Sequence, residues 1–461
     1  MKHKKAAAIL AIALVGASCV TFGACDWFNI PSADNQPPKG NPYEVATELG
    51  YTGSESAWLS EQGKTSSQTR ILYEEAKEAG YTGTFLEFLK EFGLSVPSDD
   101  TAAIHTALRS AVSVECISTR GKGVSKKDYK SSGSGVIYSL DKAQGNAYII
   151  TNYHVVYDKD SNGLETVAHV SDDIAVYLYG GECESGKITA TYVGGAMDYD
   201  IAVLQVKGSA VLQKSSAKAI AAADSDTLTV GERAYAIGNP ESDGISVTGG
   251  FVNVDAEYIE IKSSDEKKTL SMLEIRTDAA VNHGNSGGGL FNVNGELIGI
   301  VNAKAETSDS GNDVESFGYA IPANLAVSVA QNILDHASLG IKGAQRAILG
   351  ITTVVKESKG VFDEATQKMY IEETVVVQSV SGSGYAAAGK LQLNDVICAV
   401  KITDANGKVV AEQSVTRGHQ VSTIMFNVRK NFTVEFTVKR GDSIEKVSVV
   451  FDDNNYFEVY R

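Results

Sequence analysis

The chain has 461 residues, of which 43% are hydrophobic and 21% are charged. This composition is typical of a globular protein and excludes a fibrous or wholly disordered chain. The length exceeds what one hydrophobic core supports, so we expect more than one domain. The formal net charge of -16 argues against nucleic acid as a partner, because the protein would repel a polyanion.

Residues 1–25 have the pattern of an export signal, with a basic start followed by an uncharged apolar run. Residues 22–25 read Phe-Gly-Ala-Cys and resemble the bacterial lipoprotein signal, with Phe22 where leucine is usual. This resemblance makes Cys25 the predicted lipidation site. The run is also long enough, at about 20 residues, for an uncleaved membrane anchor. Both alternatives predict a protein held at the outer face of the bacterial cytoplasmic membrane.

Residues 26–42 contain four prolines among Asn, Ser and Gly, which predicts a flexible tether. Residues 43–92 contain an internal repeat, in which Tyr51-Thr52-Gly53 recurs as Tyr81-Thr82-Gly83. Glycine stop signals and a capping box predict that each copy is a small helical hairpin. This repeat region is either a structural spacer or a ligand-binding module.

Residues 104–340 contain short β-branched runs that alternate with Gly and Asp turns, a pattern typical of a β-barrel or sandwich domain. One helix, from about Ala323 to His336, closes this domain. Its Leu325, Val329 and Ile333 share one face at four-residue spacing. Residues 346–455 are again dominated by predicted strands and form a further domain. The fold class is therefore mainly β.

Ser286 lies in a glycine cluster, Gly284-Asn285-Ser286-Gly287-Gly288, that suits a nucleophilic serine. Peptide hydrolysis by serine needs an imidazole base, a carboxylate that orients the imidazole, and amide donors for the oxyanion. Glycines let backbone amides approach where Cβ atoms would obstruct them. We expect the oxyanion hole in the segment Gly284, Asn285 and Ser286, with the amides of Gly284 and Ser286 as donors.

His154 is the candidate general base, because it follows a predicted strand at the point where a rigid scaffold meets a cleft. The motif Asp-Ile-Ala-Val occurs twice, beginning at Asp173 and at Asp200. Asp173 begins an ordinary strand that runs into a glycine turn. Asp200 follows a turn near Gly194 and leads a second buried strand, so we predict that Asp200 orients His154.

These residues together resemble the HtrA (DegP-like) serine proteases, over roughly residues 105–455. The motifs that carry the resemblance occur in the family's order: residues 151–156 (Thr-Asn-Tyr-His-Val-Val), 200–203 (Asp-Ile-Ala-Val), 236–240 (Ala-Ile-Gly-Asn-Pro), 277–282 (Thr-Asp-Ala-Ala-Val-Asn), 284–288 and 318–322 (Gly-Tyr-Ala-Ile-Pro). The set is far more specific than a lone Gly-x-Ser-x-Gly.

The resemblance implies a trypsin-like double β-barrel with the triad between the barrels, and no metal, ATP or other cofactor. It implies an acyl-enzyme endopeptidase that cleaves unfolded or misfolded proteins outside the cytoplasm, and a homotrimer. Ala280, six positions before the serine, is then the floor of the specificity pocket and favours small aliphatic residues. Two departures, His283 and Gly289 where the family has Pro, are expected to loosen the loop beside Ser286.

Residues 346–455 resemble the PDZ domain that HtrA proteases carry. Leu349, Gly350 and Ile351 match the loop that holds a peptide carboxy terminus on backbone amides, while the peptide adds to the sheet as a strand. An insert at residues 357–371 leaves the shape of the groove open. The alternative function is a surface-anchored PDZ scaffold or chaperone with little or no proteolytic activity.

Overall fold

The structure, a computed structural model, describes residue 77 and residues 100–121, 125–162, 167, 169–171, 173–302 and 317–461. The predicted signal or anchor with Cys25, the tether and, apart from Lys77, the repeats lie outside the described residues. Residues Asp100–Arg461 form one unit, which is described below. No helix in the described ranges is long and apolar enough to cross a membrane.

Six antiparallel strands close into a first barrel after a short helix, α1 (Asp100–Leu108). The strands are β1 (Ala111–Arg120), β2 (Lys127–Asp141), β3 (Asn146–Thr151), β4 (Asp173–Leu178), β5 (Ile188–Ala196) and β6 (Ile201–Val206). Their order around the barrel is β1-β2-β3-β6-β5-β4. Alternate side chains such as Val114, Ile149 and Leu204 fill the interior. Two short helices, α2 (Tyr153–Val156) and α3 (Ala210–Lys214), follow β3 and β6.

A second closed barrel follows, with the order β10-β11-β12-β9-β8-β7. Its interior is filled by side chains that include Ile275, Leu290 and Ile298. Closure leaves neither barrel with an unpaired sheet edge. The strands are β7 (Arg233–Gly238), β8 (Ser246–Lys262), β9 (Thr269–Thr277), β10 (Gly289–Phe291), β11 (Leu297–Asn302) and β12 (Gly318–Pro322).

Helix α4 (Ala323–Ala337) follows the second barrel and confirms the helix predicted from the sequence. Leu325, Val329 and Ile333 are buried on its predicted face. They join a hydrophobic cluster that includes Ile150 of the first barrel and Ile300 of the second. The helix therefore packs against both barrels and holds them together, which fixes the cleft between them.

The carboxy-terminal part is a six-stranded sheet with a short helix, α5 (Gly418–Ile424). Its core includes Val377, Val400 and Phe436. The mainly β prediction is confirmed. The strands are β13 (Ala344–Ala347), β14 (Ile351–Asp363), β15 (Lys368–Val380), β16 (Val396–Thr403), β17 (Val409–Ser414), β18 (Thr433–Arg440), β19 (Ser443–Val450) and β20 (Phe457–Tyr460), of which β13 and β20 form a separate pair.

Strand β14 is an edge of this sheet and pairs with β15 in a long antiparallel hairpin. The predicted insert, residues 357–371, forms the outer part of that hairpin. Phe362 and Met369 near its tip are exposed. The insert therefore lengthens two strands instead of forming an irregular loop.

Candidate active site

His154 lies in α2, which begins two residues after the last residue of β3. Asn152, between the two elements, donates from Nδ2 to the backbone oxygen of Asp200 at 2.9 Å. The Tyr153 amide donates to the same oxygen at 3.0 Å. These two bonds tie the turn that carries Asp200 to the segment that carries His154, so both side chains stand on a rigid strand end.

Asp200 holds His154 through both carboxylate oxygens. Oδ2 lies 2.6 Å from the ring Nδ1, and Oδ1 accepts the backbone amide of His154 at 2.9 Å. The side chain of Asp200 is only 3% exposed, whereas that of His154 is 19% exposed. With Nδ1 bonded to a buried carboxylate, the ring is oriented and Nε2 is left to act as a base.

The backbone at Asp200 has a φ of 48°, a left-handed conformation that Asp adopts more readily than most residues. The turn Met197–Tyr199 precedes it, and the Asp200 amide donates to the Met197 oxygen at 3.1 Å. Asp173, in the other Asp-Ile-Ala-Val copy, is exposed at the start of β4 opposite Ile117. The structure therefore brings Asp200, not Asp173, to His154.

Ser134 of β2 clamps the loop that carries Ser286 onto the first barrel. The Ser134 amide donates to the Ser286 oxygen at 2.8 Å, and the Ser134 hydroxyl donates to the Gly284 oxygen at 2.7 Å. The same hydroxyl accepts the Asn239 amide of the second barrel at 2.8 Å. One buried serine thus joins the nucleophile loop to both barrels, and sequence reasoning missed it.

Gly287 brings this loop into close contact with the segment that carries His154. It has a φ of 84°, and a Cβ there would lie 2.4 Å from Thr151 Oγ1 and 3.0 Å from the Asn152 amide nitrogen. Only glycine fits so close an approach with that φ. The glycine after the serine therefore sets Ser286 beside the strand end that bears His154.

Ser286 is itself buried. Within the described part of the chain, no hydrogen bond joins its hydroxyl to His154. Two of the three predicted triad residues, His154 and Asp200, are thus in contact, and Ser286 lies beside the same strand end. Catalytic hydrogen bonds in a site without substrate are often long and shorten only in the Michaelis complex.

Two backbone amides of the nucleophile loop, those of Gly284 and Ser286, have no acceptor among the described residues, as an oxyanion hole requires. The amide of Asn285 donates to the Asn282 oxygen at 3.0 Å. Asn285 therefore shapes the turn and does not offer its amide, although it belongs to the predicted segment. Gly284 has a φ of 94°, and a Cβ there would lie 2.2 Å from the Asn239 oxygen.

The two departures from the family pattern are both held in place. The carbonyl oxygen of His283 accepts the Glu241 amide at 2.9 Å. Because the N–H and C=O groups of a trans peptide point to opposite sides, this bond turns the Gly284 amide away from Glu241. Gly289 is buried in β10, where a Cβ would lie 2.3 Å from the Phe291 ring. Both residues therefore have defined contacts in the structure, and their effect on the order of the loop stays a prediction.

The structure also describes the other predicted site residues, which are Ala280 and the segment Leu349, Gly350 and Ile351. Ala280 is exposed, and its carbonyl oxygen accepts the Thr248 hydroxyl at 2.7 Å. Leu349, Gly350 and Ile351 form the turn into the edge strand β14. Leu349 is buried, and Gly350 has a φ of 77° with its α-carbon tight against the Tyr385 side chain.

The comparisons with known proteins agree with this architecture. The sequence model described as trypsin-like peptidase domain matches residues 133–300. The serine protease Do-like HtrA of Lactococcus lactis subsp. cremoris is 33% identical over 315 residues, which cover 67% of this chain and 68% of that protein. The periplasmic serine endoprotease DegP of Salmonella typhimurium is 32% identical over 305 residues, covering 66% of this chain and 54% of that protein.

One similar solved structure is the HtrA-type protease AlgW with decapeptide, at 25% identity and a TM-score of 0.45. The alignment covers 79% of this chain and 99% of that one. The two barrels and the sequence matches define a trypsin-fold serine endopeptidase. Within that class, the chain belongs to the HtrA family of serine proteases.

Proposed function

We propose that His154, Asp200 and Ser286 are the catalytic triad and that the amides of Gly284 and Ser286 form the oxyanion hole. The observation that carries this proposal is the double contact between Asp200 and His154, at 2.6 Å and 2.9 Å, beside a serine loop with two unengaged amides. Orientation of the base and electrostatic stabilisation of the oxyanion are the main requirements of acyl transfer by serine.

The chemistry then follows from the geometry. Ser286 Oγ attacks the peptide carbonyl carbon while His154 Nε2 takes the hydroxyl proton, and Asp200 stabilises the imidazolium that forms. The oxyanion is bound by the two amides, and His154 returns the proton to the leaving amine. Water, deprotonated by the same imidazole, then hydrolyses the acyl-enzyme. The hydrogen bond from Ser286 to His154 forms when substrate enters the cleft.

The proposed substrates are unfolded or misfolded proteins outside the cytoplasm, cleaved without ATP for protein quality control. The family membership supports this role, and three similar proteins carry the word periplasmic in their names. The predicted export signal at residues 1–25 supports an extracytoplasmic location, with a lipid on Cys25 or an uncleaved anchor. Ala280, as the pocket floor, fits small aliphatic side chains. A homotrimer completes the proposal.

We further propose that residues 346–455 are a PDZ-like domain that binds peptide carboxy termini. Strand β14 has no partner on its outer side among the described residues, and this edge supports the proposal because such domains take up a peptide as an added strand. Helix α5 lies next to β14 and supplies the second wall of a groove, lined by residues that include Val355 and His419. Leu349, Gly350 and Ile351 lie at the start of the edge strand, where a terminal carboxylate would be held.

Degradation of unfolded casein by the full chain tests the proposed function. The wild type should degrade casein and leave a natively folded protein intact, and Ser286→Ala should abolish degradation. Gly350→Val reshapes the proposed carboxylate turn, since its first side-chain carbon would lie 2.2 Å from Tyr385 Cβ. Gly389→Val is its matched control. Gly389 also has a positive φ, but a Cβ added there would meet no atom within 4 Å beyond its own chain neighbours.

The scaffold alternative predicts the opposite order of severity for Ser286→Ala and Gly350→Val. It expects Ser286→Ala to be harmless and Gly350→Val alone to remove the biological effect, through loss of partner binding. If casein survives the wild type and Ser286→Ala behaves identically, the proposed proteolytic role is refuted.

A further inference from the structure

Glu274 is a buried carboxyl group in the middle of β9, with no exposed surface. Its Oε1 accepts a hydrogen bond from Asn302 Nδ2 at 2.9 Å. Asn302, the last residue of β11, is likewise buried. A charged carboxylate so far from water is costly unless it is paired with a cation, and the contact that the structure gives it is a neutral amide.

Two buried atoms of this pair, Glu274 Oε2 and Asn302 Oδ1, have no hydrogen-bond partner among the described residues. They are the second polar atoms of two groups that already share one hydrogen bond. An ionised carboxylate can only accept hydrogen bonds, so it would leave Glu274 Oε2 and Asn302 Oδ1 both unsatisfied. A protonated carboxyl group can donate from Oε2 to Oδ1, and this one proton satisfies both atoms.

The pair of Glu274 and Asn302 lies close to Asp200 and to the loop that carries Ser286. Burial raises the pKa of Glu274 well above its ordinary value; the hydrogen bond from Asn302 lowers it by less, and the negative charge of Asp200 adds to the rise. Asn302 directly follows Val301, whose carbonyl oxygen accepts the Gly287 amide at 2.9 Å and whose amide donates to the Gly288 oxygen at 2.8 Å. The end of β11 therefore holds the two glycines that follow Ser286.

We propose that Glu274 is a positioning residue for the reaction. Held neutral, its carboxyl group forms two hydrogen bonds with the Asn302 side chain, which fixes the end of β11 and hence the Ser286 loop. Because the group carries no charge, it does this without a second negative charge next to Asp200. The inference rests on the triad proposed above.

Two charged groups on this face of the sheet lie within ion-pair distance of each other. Arg276 lies two residues along β9, on the same side as Glu274, and its Nε is 3.2 Å from Glu257 Oε1. Glu257 is the cross-strand neighbour of Glu274 on β8. Among the described residues, Glu257, Arg276 and Asp200 are charged groups that would respond if Glu274 carried a charge.

Four variants of the full chain test the proposal through kcat, KM and the pH profile of kcat/KM. Glu274→Leu removes both hydrogen bonds and should lower kcat about tenfold, through a displaced serine loop, with little change in KM. Glu274→Gln is a neutral isostere that can still form both bonds, so it should restore kcat to within about twofold of the wild type. Glu257→Gln, which removes the carboxyl group that pairs with Arg276 in the same sheet, is the matched control.

The acid limb of the kcat/KM profile reports protonation of the base in the free enzyme. Glu274→Gln should leave this limb where it is in the wild type. If Glu274 is instead ionised, removing its charge would move the limb to lower pH, and the proposal is overturned. Asn302→Asp adds a carboxyl group that must share a proton with Glu274 or ionise, and should raise the limb by about one pH unit.

Infrared difference spectroscopy provides a readout that does not depend on catalysis. At neutral pH the wild type should show the carbonyl band of a buried protonated carboxyl group, and Glu274→Gln should lack it. Absence of that band from the wild type contradicts the proposal even if the triad is correct. Equal activity of the wild type and Ser286→Ala, with the band present, refutes the triad instead.

Discussion

Asp200 and His154 are joined twice, once through the imidazole ring and once through the histidine backbone. Oδ2 of Asp200 lies 2.6 Å from Nδ1, and Oδ1 accepts the amide hydrogen at 2.9 Å. The second bond means that the carboxylate positions the helix that carries the histidine as well as its side chain.

This relationship predicts that Asp200→Asn lowers kcat about 10⁴-fold. The asparagine NH2 group in place of Oδ2 would donate to Nδ1 and so put the ring proton on Nε2, which could then not act as a base. Asp173→Asn is the matched control, since Asp173 begins the other Asp-Ile-Ala-Val segment and is exposed. It should keep kcat within about twofold, as surface substitutions usually do. Steady-state hydrolysis of a casein-derived peptide measures both. Similar losses in the two variants would refute the assignment.

Gly284→Ala should lower kcat by at least about 10² while KM changes little, because the oxyanion donor is displaced. The added methyl group would lie 2.2 Å from the Asn239 oxygen at a φ of 94°. Gly208→Ala is the control, because Gly208 has a φ of 63° and open space around its α-carbon. Both variants are compared in kcat and in thermal unfolding. A Gly284→Ala enzyme with wild-type kcat would exclude this amide from the oxyanion hole.

Much of the site could be predicted from the sequence because its parts are local. The serine loop is a run of glycines, and His154 and Asp200 each stand at the end of a predicted strand. Ser134 gave no such signal, since its role arises only when β2 meets residues more than a hundred positions away. Glu274 in β9 reads as an ordinary polar residue of a half-buried strand. Its burial depends on packing that no local pattern reveals.

The fold shows the same division. Alternating strands predicted the β class, and Leu325, Val329 and Ile333 predicted the face of α4. Strand partners could not be predicted, because closure of each barrel pairs strands far apart in the chain, such as β1 with β4. The insert at residues 357–371 had no clear pattern, and the structure shows that it extends the hairpin of β14 and β15.

A buried ion pair connects the carboxy-terminal sheet to the second barrel. Arg417, before α5, bonds to Asp255 of β8, donates to the Ala256 oxygen at 3.3 Å and lies 3.6 Å from Glu373. Both partners are nearly buried, so loss of either leaves an uncompensated charge. A double-mutant cycle with Arg417→Gln and Asp255→Asn should give a coupling energy of about 1–3 kcal/mol in the free energy of unfolding.

The pair of Lys446 and Glu435, at 2.8 Å, provides the comparison for this cycle. Its lysine is largely exposed, so its coupling energy should stay below about 1 kcal/mol. Urea unfolding of the full chain measures both cycles. Equal coupling in the two pairs would mean that Arg417 contributes no more than a surface contact does.

The pH dependence of stability should reveal the bond between Asp395 and Arg440. Burial raises the pKa of Asp395, but hydrogen bonds from Arg440 at 2.7 Å and from the Gln392 amide outweigh it, so the pKa lies below its usual value. A depressed pKa stabilises the fold above the unfolded value of about 3.9. This contribution is lost as pH falls through the folded pKa.

Asp395→Asn should therefore lower the melting temperature at neutral pH and flatten its decline below about pH 4. Thermal unfolding of both proteins from neutral to acid pH measures the difference. A difference that stays constant with pH would show that the carboxylate charge contributes nothing and that only shape matters at this position.

The central claim, that Ser286 is activated by His154, is tested most directly by labelling the full chain with a fluorophosphonate. This probe reacts only with a serine made nucleophilic by its surroundings. We predict one adduct on the peptide that contains Ser286, strong reduction of that adduct in His154→Ala, and none in Ser286→Ala. Labelling of the wild type and Ser286→Ala to the same extent would contradict the assignment.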